Sequence, residues 1–234
     1  MRRTVVMTAG MALASGLLLT GCGLGEFVKP ANEAKLSYDV ADKVSTLVVR
    51  SDSGDIVVDG SDRSDVHVTE TSHWRGDDGD RPRATHPVNG GRLTLGYDCP
   101  GWTCGVDYRV EVPRGLDVKV ETGSGEITLR GLSGSLDVTT GSGDIDANEL
   151  SGKSLIGQTG SGDVTVKYTS APDDIRLETG SGGGTVVVPP GTYNVRTETG
   201  SGEEKVGVTR DTGAPRQIVV KTGSGDVKVL ATDS

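Results

Sequence analysis

Most of the Gly-rich corners in this chain are followed directly by an acidic residue, and such a series could bind a cation. If the corners stack in register, the carboxylates form an outward column at intervals of roughly 5 Å. Two neighbours could then share a hard cation such as calcium, or face water and be screened by salt. Calcium-binding β-rolls repeat every nine residues, whereas this unit is about twice as long. We therefore expect a solvated acidic edge and keep calcium binding as the alternative. The acidic column consists of Asp55, Glu126, Asp144, Asp163, Glu203 and Asp226.

Two of the three cysteines form a close pair, Cys99 and Cys104. An even pair in an exported chain predicts a local disulfide, which would constrain the unfolded state by about 2 kcal/mol. The alternatives are two free thiols or half of a metal site. A metal site would need further ligands, and the histidines at 67, 73 and 86 lack the required spacing.

The other candidates for catalysis are weak. Gly-Ser-Gly recurs six times as a corner, whereas a nucleophile elbow occurs once. His67 lies between Val66 and Val68 and should face solvent, and the adjacent Asp173 and Asp174 would point to opposite faces of a strand. We expect no catalytic residues, no cofactor and no enzymatic activity. A polysaccharide-acting enzyme on a β-helix is the less favoured alternative.

The N-terminus carries the features of an export signal. Two arginines precede an apolar stretch that is too short to span a bilayer comfortably, and Leu19-Thr20-Gly21-Cys22 follows it. This segment resembles the lipobox of bacterial lipoprotein precursors, which implies cleavage before Cys22 and lipid attachment to it. An ordinary secretory signal is the alternative. The resemblance implies a protein anchored to the membrane on its extracytoplasmic face.

The composition of the chain limits which binding partners it can have. The chain of 234 residues has a formal charge of −9, so nucleic acid is excluded as a partner. Gly, Ser, Thr, Asp and Val dominate, which combines turn formers with β-branched strand residues and predicts an all-β fold.

The elements that position these residues repeat along the chain. Thr-Gly-Ser-Gly occurs six times, and its first Gly advances by 18, 19, 20, 20 and 23 residues. Alternating strands precede and follow each corner, as in Ile175 and Leu177 before one and Val164 and Val166 after another. Near-constant spacing favours a β-solenoid with rungs of about 20 residues, and an antiparallel β-sandwich is the alternative. The corner threonines share the parity of the inward residues, so their hydroxyls could satisfy backbone groups of the bend.

The repeat is irregular in places. Gly157, Gly184 and Glu204 stand where inward apolar residues are expected, which predicts looser or shifted rungs and a bulge at 203–205. Before the repeat, strands are expected at 47–49, 56–58, 66–68, 93–95 and 106–112. The polar segment 71–91 between them is expected to be a mobile excursion.

Three segments together resemble a bacterial adhesin-like family, domain of unknown function 4097. They are the opening 47–60, the middle Tyr108 to Leu116 and the recurring Gly-Ser-Gly-Asp. The resemblance covers roughly 46–230. It implies a right-handed β-helix on a surface-exposed or lipid-anchored protein with no established enzymatic activity.

These observations predict four regions: a signal peptide at 1–21, a lipidated Cys and tether at 22–43, a single β-solenoid domain at 44–230 and a tail at 231–234. The expected function is a non-catalytic envelope module that binds a cell-wall polymer or a protein. An accessory or sensory role in envelope stress is the alternative.

Overall fold

The computed structural model describes residues 31–100 and 103–232, which form β-strands with a single turn of 3₁₀ helix at Asp78–Asp80. The all-β prediction is confirmed. No helix in the described part of the chain has the length and apolar character needed to cross a membrane. The strands are β1 (Ala31–Val40), β2 (Thr46–Ser53), β3 (Ile56–Ser61), β4 (Val66–Arg75), β5 (Arg83–Thr85), β6 (Val88–Asn89), β7 (Arg92–Asp98), β8 (Cys104–Pro113), β9 (Asp117–Ser124), β10 (Ile127–Arg130), β11 (Leu136–Ser142), β12 (Ile145–Leu150), β13 (Ser154–Ser161), β14 (Val164–Tyr168), β15 (Asp174–Ser181), β16 (Gly184–Val188), β17 (Thr192–Thr199), β18 (Glu204–Val206), β19 (Thr209–Arg210), β20 (Gln217–Ser224) and β21 (Val227–Ala231).

The strands form two long sheets that enclose one core. Sheet A has the order β1-β4-β8-β3-β10-β12-β14-β16-β21-β18, and sheet B has the order β19-β17-β20-β15-β13-β11-β9-β2-β7-β5, with β6 beside β7. In each repeat the chain runs along a strand of sheet B, turns at a Gly-rich corner and continues along a strand of sheet A. We call this unit a rung.

The rungs stack in parallel and in register. Thr140 pairs with Thr122 on one side and with Thr159 on the other. This pairing contradicts an antiparallel sandwich for the repeat and supports a solenoid-like architecture. Among the strands that the structure describes, antiparallel pairs are found only where β1, β4 and β8 meet and where β5 and β6 meet β7.

The predicted inward positions are buried. Ile145, Val164 and Leu177 are at most 1% exposed, and one continuous cluster of apolar side chains from both sheets fills the space between them. Because side chains alternate along a strand, each strand of a rung places one face in the core and the other face in water.

The order of the last rungs differs from their order in the sequence. Strand β20 inserts between β15 and β17, and β21 inserts between β16 and β18. Apart from its corner Thr222, the inserted rung is apolar at its buried inward positions, including Ile218 and Val229, which are fully buried. The rung that it displaces carries Thr197 and Glu204 at inward positions, so it occupies the open end of the stack, where these groups stay near water.

The predicted bulge at 203–205 is wrong. Glu204 pairs with Val227 and Val206 pairs with Val229, without a register shift. Glu204 is tolerated at an inward position because its rung is terminal, and its carboxylate accepts a hydrogen bond of 2.5 Å from Thr197 Oγ1.

Gly157 and Gly184 do not loosen their rungs either. Both keep register with their neighbours, and both are buried. A Cβ at Gly157 would lie 3.1 Å from Leu177 Cδ2, and one at Gly184 would lie 2.5 Å from Val220 Cγ1. Side chains of adjacent rungs therefore already occupy the space.

Two predictions for the N-terminal part need correction. The tether expected over 22–43 is too long, because 31–40 form β1, which pairs with β4 along its whole length. Segment 71–91 is not a structureless excursion, because β4 continues to Arg75 and β5 and β6 pair with β7. Both segments are too polar to indicate burial, and backbone pairing with other strands orders them.

Buried tyrosines should resist ionisation in the folded protein, above all three of them. Burial raises the pKa of Tyr38, Tyr108 and Tyr168 well above the ordinary value, and the Glu70 carboxylate adds to this effect at Tyr38 and Tyr108. A raised folded-state pKa contributes stability that is complete below the unfolded value, near pH 10, and is lost as the pH rises further. We expect tyrosinate absorbance at 295 nm from these phenols to appear only together with loss of the β-sheet circular dichroism signal. Full ionisation near pH 10 with the sheets intact would contradict this placement.

Candidate functional site

The corner threonines connect neighbouring rungs. From Thr140 onward, each corner Thr donates its hydroxyl to the carbonyl of a corner Gly in the adjacent rung, as Thr179 Oγ1 does to Gly162 O at 3.0 Å. Thr122 instead bonds within its own corner, to Ser124 O. The prediction that these hydroxyls satisfy backbone groups of the bend is confirmed.

The last Gly of each corner is required for two reasons. These glycines have φ between 126° and 149°, a region that side chains rarely adopt. Each also presses against the backbone of the preceding rung, so that a Cβ at Gly143 would overlap the Gly125 carbonyl oxygen. The corner sequence thus allows the rungs to stack closely.

The acidic column has a structural role that the sequence did not reveal. The Oδ1 atom of Asp144 accepts a hydrogen bond from Asp163 N at 2.8 Å, and Asp163 Oδ1 accepts one from Gly183 N at 2.6 Å. Asp55 and Asp226 bind corner N–H groups of adjacent rungs in the same way. The pKa of Asp226 is lowered, mainly by the hydrogen bond from the Glu203 N–H and to a smaller extent by Lys228.

One member of the column, Asp107, was missed. Its Oδ1 accepts a hydrogen bond of 2.9 Å from Asp55 N, at the N-terminal end of the series. The available signal was the alternation of Tyr108, Val110 and Val112 directly after it, which matches the alternation after Asp163.

The calcium alternative gains no support from this geometry. Within 31–100 and 103–232, no cluster of three or more His, Cys, Asp or Glu side chains is arranged to hold a metal ion. The column is interrupted at Gly183, where Asp163 and Asp226 border a cleft of 220 Å³. Lys228 already pairs with Asp226 there at 3.1 Å.

A pair of substitutions at Asp163 tests the capping role. Asp163→Ala removes the acceptor for the Gly183 N–H and should lower the free energy of unfolding by about 1 kcal/mol. Asp163→Asn keeps Oδ1 and should change it by less than about 0.5 kcal/mol. Denaturant titrations with and without calcium provide the measurement.

Glu126→Ala is the matched control for this pair, because the Glu126 carboxylate accepts only a long hydrogen bond, 3.4 Å, from Thr128 on its own strand. It should be close to neutral. Equal losses for Asp163→Ala and Glu126→Ala would refute the capping role, and a loss seen only with calcium would restore the cation hypothesis.

The predicted site residues are placed as follows. Cys99 and Cys104 form the expected disulfide beside the start of β8. Cys22 lies outside the described residues. His67 lies on the outer face of sheet A, where its Nδ1 atom is 2.7 Å from Asp39 Oδ1. That hydrogen bond, together with Arg63, lowers the pKa of Asp39.

A second histidine is held in a similar way. His73 Nε2 lies 2.8 Å from Asp107 Oδ2, and its Nδ1 lies 4.0 Å from Glu33 Oε2. Both imidazoles therefore contact carboxylates of neighbouring strands on the same outer face. The sequence could not reveal these pairs because β1, β4 and β8 are far apart along the chain.

An open cleft of about 490 Å³ lies over sheet B where β2, β7, β9 and β11 run side by side. Strand alternation directs Arg50, Thr94, Glu121 and Thr139 outward into it. Gly96 and Gly123 expose the backbone in its floor. Carboxylates, hydroxyls and peptide groups therefore lie among apolar atoms in the lining of the cleft, where they can form hydrogen bonds with a ligand.

Ion pairs connect Arg50 and Glu121 of this cleft with charged groups beside it. Glu121 pairs with Arg50 at 3.2 Å and with Lys119 at 3.0 Å, and Lys119 continues to Asp137 at 2.7 Å. Hydrogen bonds from Lys119 and Arg50 lower the pKa of Glu121. The pKa of Lys119 is raised, mainly by its hydrogen bond to Asp137 and to a smaller extent by its hydrogen bond to Glu121. Both shifts favour the charged forms of Glu121 and Lys119 near neutral pH.

Parallel rungs, Gly-rich corners and an outward acidic column define a class of stacked β-repeat proteins. Residues 41–232 match the family model described as Toastrack DUF4097. The chain belongs to this family, as the resemblance predicted.

Solved structures are similar to this chain. A structure described as a "putative cell adhesion protein" from Clostridium sporogenes aligns with a TM-score of 0.54 and 13% identity, covering 86% of this chain and 100% of that one. A "putative adhesin" from Bacteroides fragilis has a TM-score of 0.48 and 14% identity, covering 84% of this chain and 97% of that one. The chain matches none of the curated proteins with which it was compared.

Proposed function

We propose that this chain is a non-catalytic, lipid-anchored module of the bacterial cell envelope that binds a cell-wall polymer through the cleft over sheet B. The lining of that cleft carries the proposal. Carboxylates, hydroxyls and exposed peptide groups complement the hydroxyls and amides of a glycan cross-linked by peptides. Protein interfaces are richer in aromatic residues, whereas Tyr97 is the one aromatic residue of this lining.

Two other features agree with a binding role. The Clostridium sporogenes protein of the same fold is described as a "putative cell adhesion protein", which makes adhesion a reasonable role to test here. The ladders of hydrogen bonds between rungs give a rigid surface, and a rigid surface loses little conformational entropy on binding.

We also infer that the coil is right-handed with about 20 residues per rung. Parallel strands joined through a crossover are right-handed in about 98% of cases. The spacing of the Thr-Gly-Ser-Gly corners supports the rung size.

The anchor is proposed from the sequence motif at Cys22. Metabolic labelling with a palmitate analogue should mark the protein in membranes, and Cys22→Ala should abolish the label and release the chain. Labelling that persists in Cys22→Ala would rule out lipid attachment at this residue.

Retention of the protein on purified peptidoglycan sacculi tests the cleft. We expect the wild-type protein to co-sediment with sacculi without releasing soluble fragments from them. Asp98 and Glu121 both line the cleft, and the double variant Asp98→Asn/Glu121→Gln should weaken retention about tenfold, because both substitutions remove a negative charge while keeping the size of the side chain. Glu111→Gln, on the outer face of sheet A, is the control and should bind normally.

Three outcomes would contradict the proposal. Absence of retention would rule out the cell-wall polymer, and equal retention of the cleft variant and the control would place binding elsewhere. Release of soluble fragments would indicate an enzyme. Retention on an immobilised host matrix protein, tested in parallel, would favour a protein partner.

A further inference from the structure

A second depression continues the cleft over sheet B. It has a volume of about 420 Å³ and lies over β11, β13 and β15, where Gln158 and Glu178 line it. Thr139 lines both the cleft and this depression, so the two meet at β11. We call the cleft and the second depression together the corner groove.

A single row of outward side chains runs along the corner groove. It consists, in order across the strands, of Arg50, Glu121, Thr139, Gln158 and Glu178. Because each of these residues pairs directly with the next, the row presents one polar side chain at every strand. Neighbouring strands lie about 4.8 Å apart, so the groove extends over about 24 Å from β7 to β15.

The bottom of the corner groove beside this row is backbone. The first Gly of each corner follows a member of the row by two residues and has the same outward parity, as Gly123, Gly160 and Gly180 do. A Cβ at Gly160 would lie 2.6 Å from the carbonyl oxygen of Gly141, and one at Gly180 would lie 2.5 Å from Gly160 O. Close stacking of the rungs therefore excludes side chains here and keeps the groove open along the stack.

The polar side chains of the second depression are available to a ligand. Gln158 and Glu178 are exposed, and within the described part of the chain neither forms a side-chain hydrogen bond or an ion pair. Lys221 lies beside Glu178 on β20 but pairs with Glu198, at 2.9 Å. The amide and the carboxylate can therefore bind a ligand without first breaking a bond within the protein.

Negative charge dominates the corner groove. The described lining contains the carboxylates of Asp52, Asp98, Glu121 and Glu178 against the guanidinium of Arg50, which already pairs with Glu121. A wall polymer joined by phosphodiesters would be repelled by this lining. The hydroxyl and acetamido groups of neutral sugars, and the ammonium groups of unacetylated amino sugars, can instead donate hydrogen bonds to it.

We propose that the corner groove binds the glycan strand of the cell-wall polymer, a linear chain of amino sugars that lies along the stack and crosses the strands. This inference rests on the proposed function and specifies which part of the polymer is recognised and in which direction it lies. A regular row of polar groups matches a chain of repeating units, because each further rung offers a hydrogen-bonding side chain to a further part of the chain. Gln158 and Glu178 extend the recognised length beyond the cleft.

Chitin oligosaccharides, which are linear chains of N-acetylglucosamine, are probes of defined length for this groove. Isothermal titration calorimetry on the full-length protein should show that the hexasaccharide binds at least about tenfold more tightly than the disaccharide, because the longer chain reaches additional hydrogen-bonding groups. The double variant Gln158→Ala/Glu178→Ala should lose most of this gain. Its affinity for the disaccharide, which the cleft can hold alone, should stay within about twofold of the wild-type value.

Ile156→Ala/Arg176→Ala is the matched control. These two residues lie on the same strands and the same face as Gln158 and Glu178, two positions away, and neither lines the corner groove. The control should bind the hexasaccharide as the wild-type protein does. Circular dichroism of both double variants should match the wild type, because all four side chains lie on the outer face.

The proposal is overturned if affinity does not rise with chain length, if Gln158→Ala/Glu178→Ala binds the hexasaccharide as tightly as the wild type, or if the control loses as much affinity. Displacement of the hexasaccharide by a polyanionic teichoic acid would also overturn it. Any of these results together with retention on sacculi would leave the proposed function standing. Absence of binding to both sacculi and hexasaccharide would overturn the proposed function as well.

Discussion

Gly143→Ala is expected to lower the free energy of unfolding by about 3–5 kcal/mol, a large part of the stability of an ordinary domain. Gly143 has φ of 143°, which a residue with a side chain adopts only under strain. The added methyl group would also overlap the Gly125 carbonyl, and Gly143 O is in turn close to Gly162 in the next rung. Any backbone shift that relieves one contact therefore disturbs three rungs. Denaturant unfolding followed by circular dichroism provides the measurement.

Gly79→Ala is the control for this substitution. Gly79 lies in the 3₁₀ turn, and a Cβ there would have no neighbour within 4 Å. Its effect should stay within about 0.5 kcal/mol. If Gly143→Ala proved as mild as Gly79→Ala, the close stacking of the corners would be wrong.

Leu177→Ala is expected to cost about 3 kcal/mol, and Gly157→Ala should recover part of that loss. Leu177 is 1% exposed, and its Cδ2 occupies the space that a side chain at Gly157 would fill. Truncation leaves a cavity that the surrounding rungs cannot close completely. In the wild-type background Gly157→Ala crowds Leu177 and should destabilise by about 1 kcal/mol, whereas in the truncated background its methyl group enters the cavity. The coupling energy between the two substitutions should reach at least about 1 kcal/mol.

A matched cycle with Leu129→Ala separates this coupling from general effects. Leu129 is fully buried, but it lies on β10, which does not pair with either strand of the Gly157 rung. Gly157→Ala and Leu129→Ala should therefore add without coupling. Additivity in the Leu177 cycle as well would show that Leu177 does not fill the space at Gly157.

Local patterns predicted much of the repeat. The alternation around each corner indicated which residues face inward, as at Ile145 and Val164, because the period of two belongs to the strand itself. The corner threonine hydroxyls were predicted to bond the backbone for the same reason. The disulfide between Cys99 and Cys104 was predicted from a separation of five residues.

Patterns in the sequence did not indicate which strands meet when they are far apart. Segment 31–40 looked like a tether, yet its pairing with β4 depends on hydrogen bonds between residues that lie 26 to 44 positions apart. The capping by Asp163 and the charged row around Glu121 require neighbouring rungs in register, and the cleft requires β7 beside β2.

The sequence by itself determines the rung of this protein: two strands of alternating polarity are joined by a Gly-rich corner. A Thr begins the corner, and an acidic residue follows it. Only the tertiary structure decides the order of the rungs and the strands at the ends of each sheet. The last rung of the sequence lies inside the stack because burying Ile218, Val220, Val227 and Val229 is favourable, whereas burying Glu204 is costly. The order of the rungs depends on the difference in burial energy between two whole rungs. The sequence pattern within a single rung does not contain that difference.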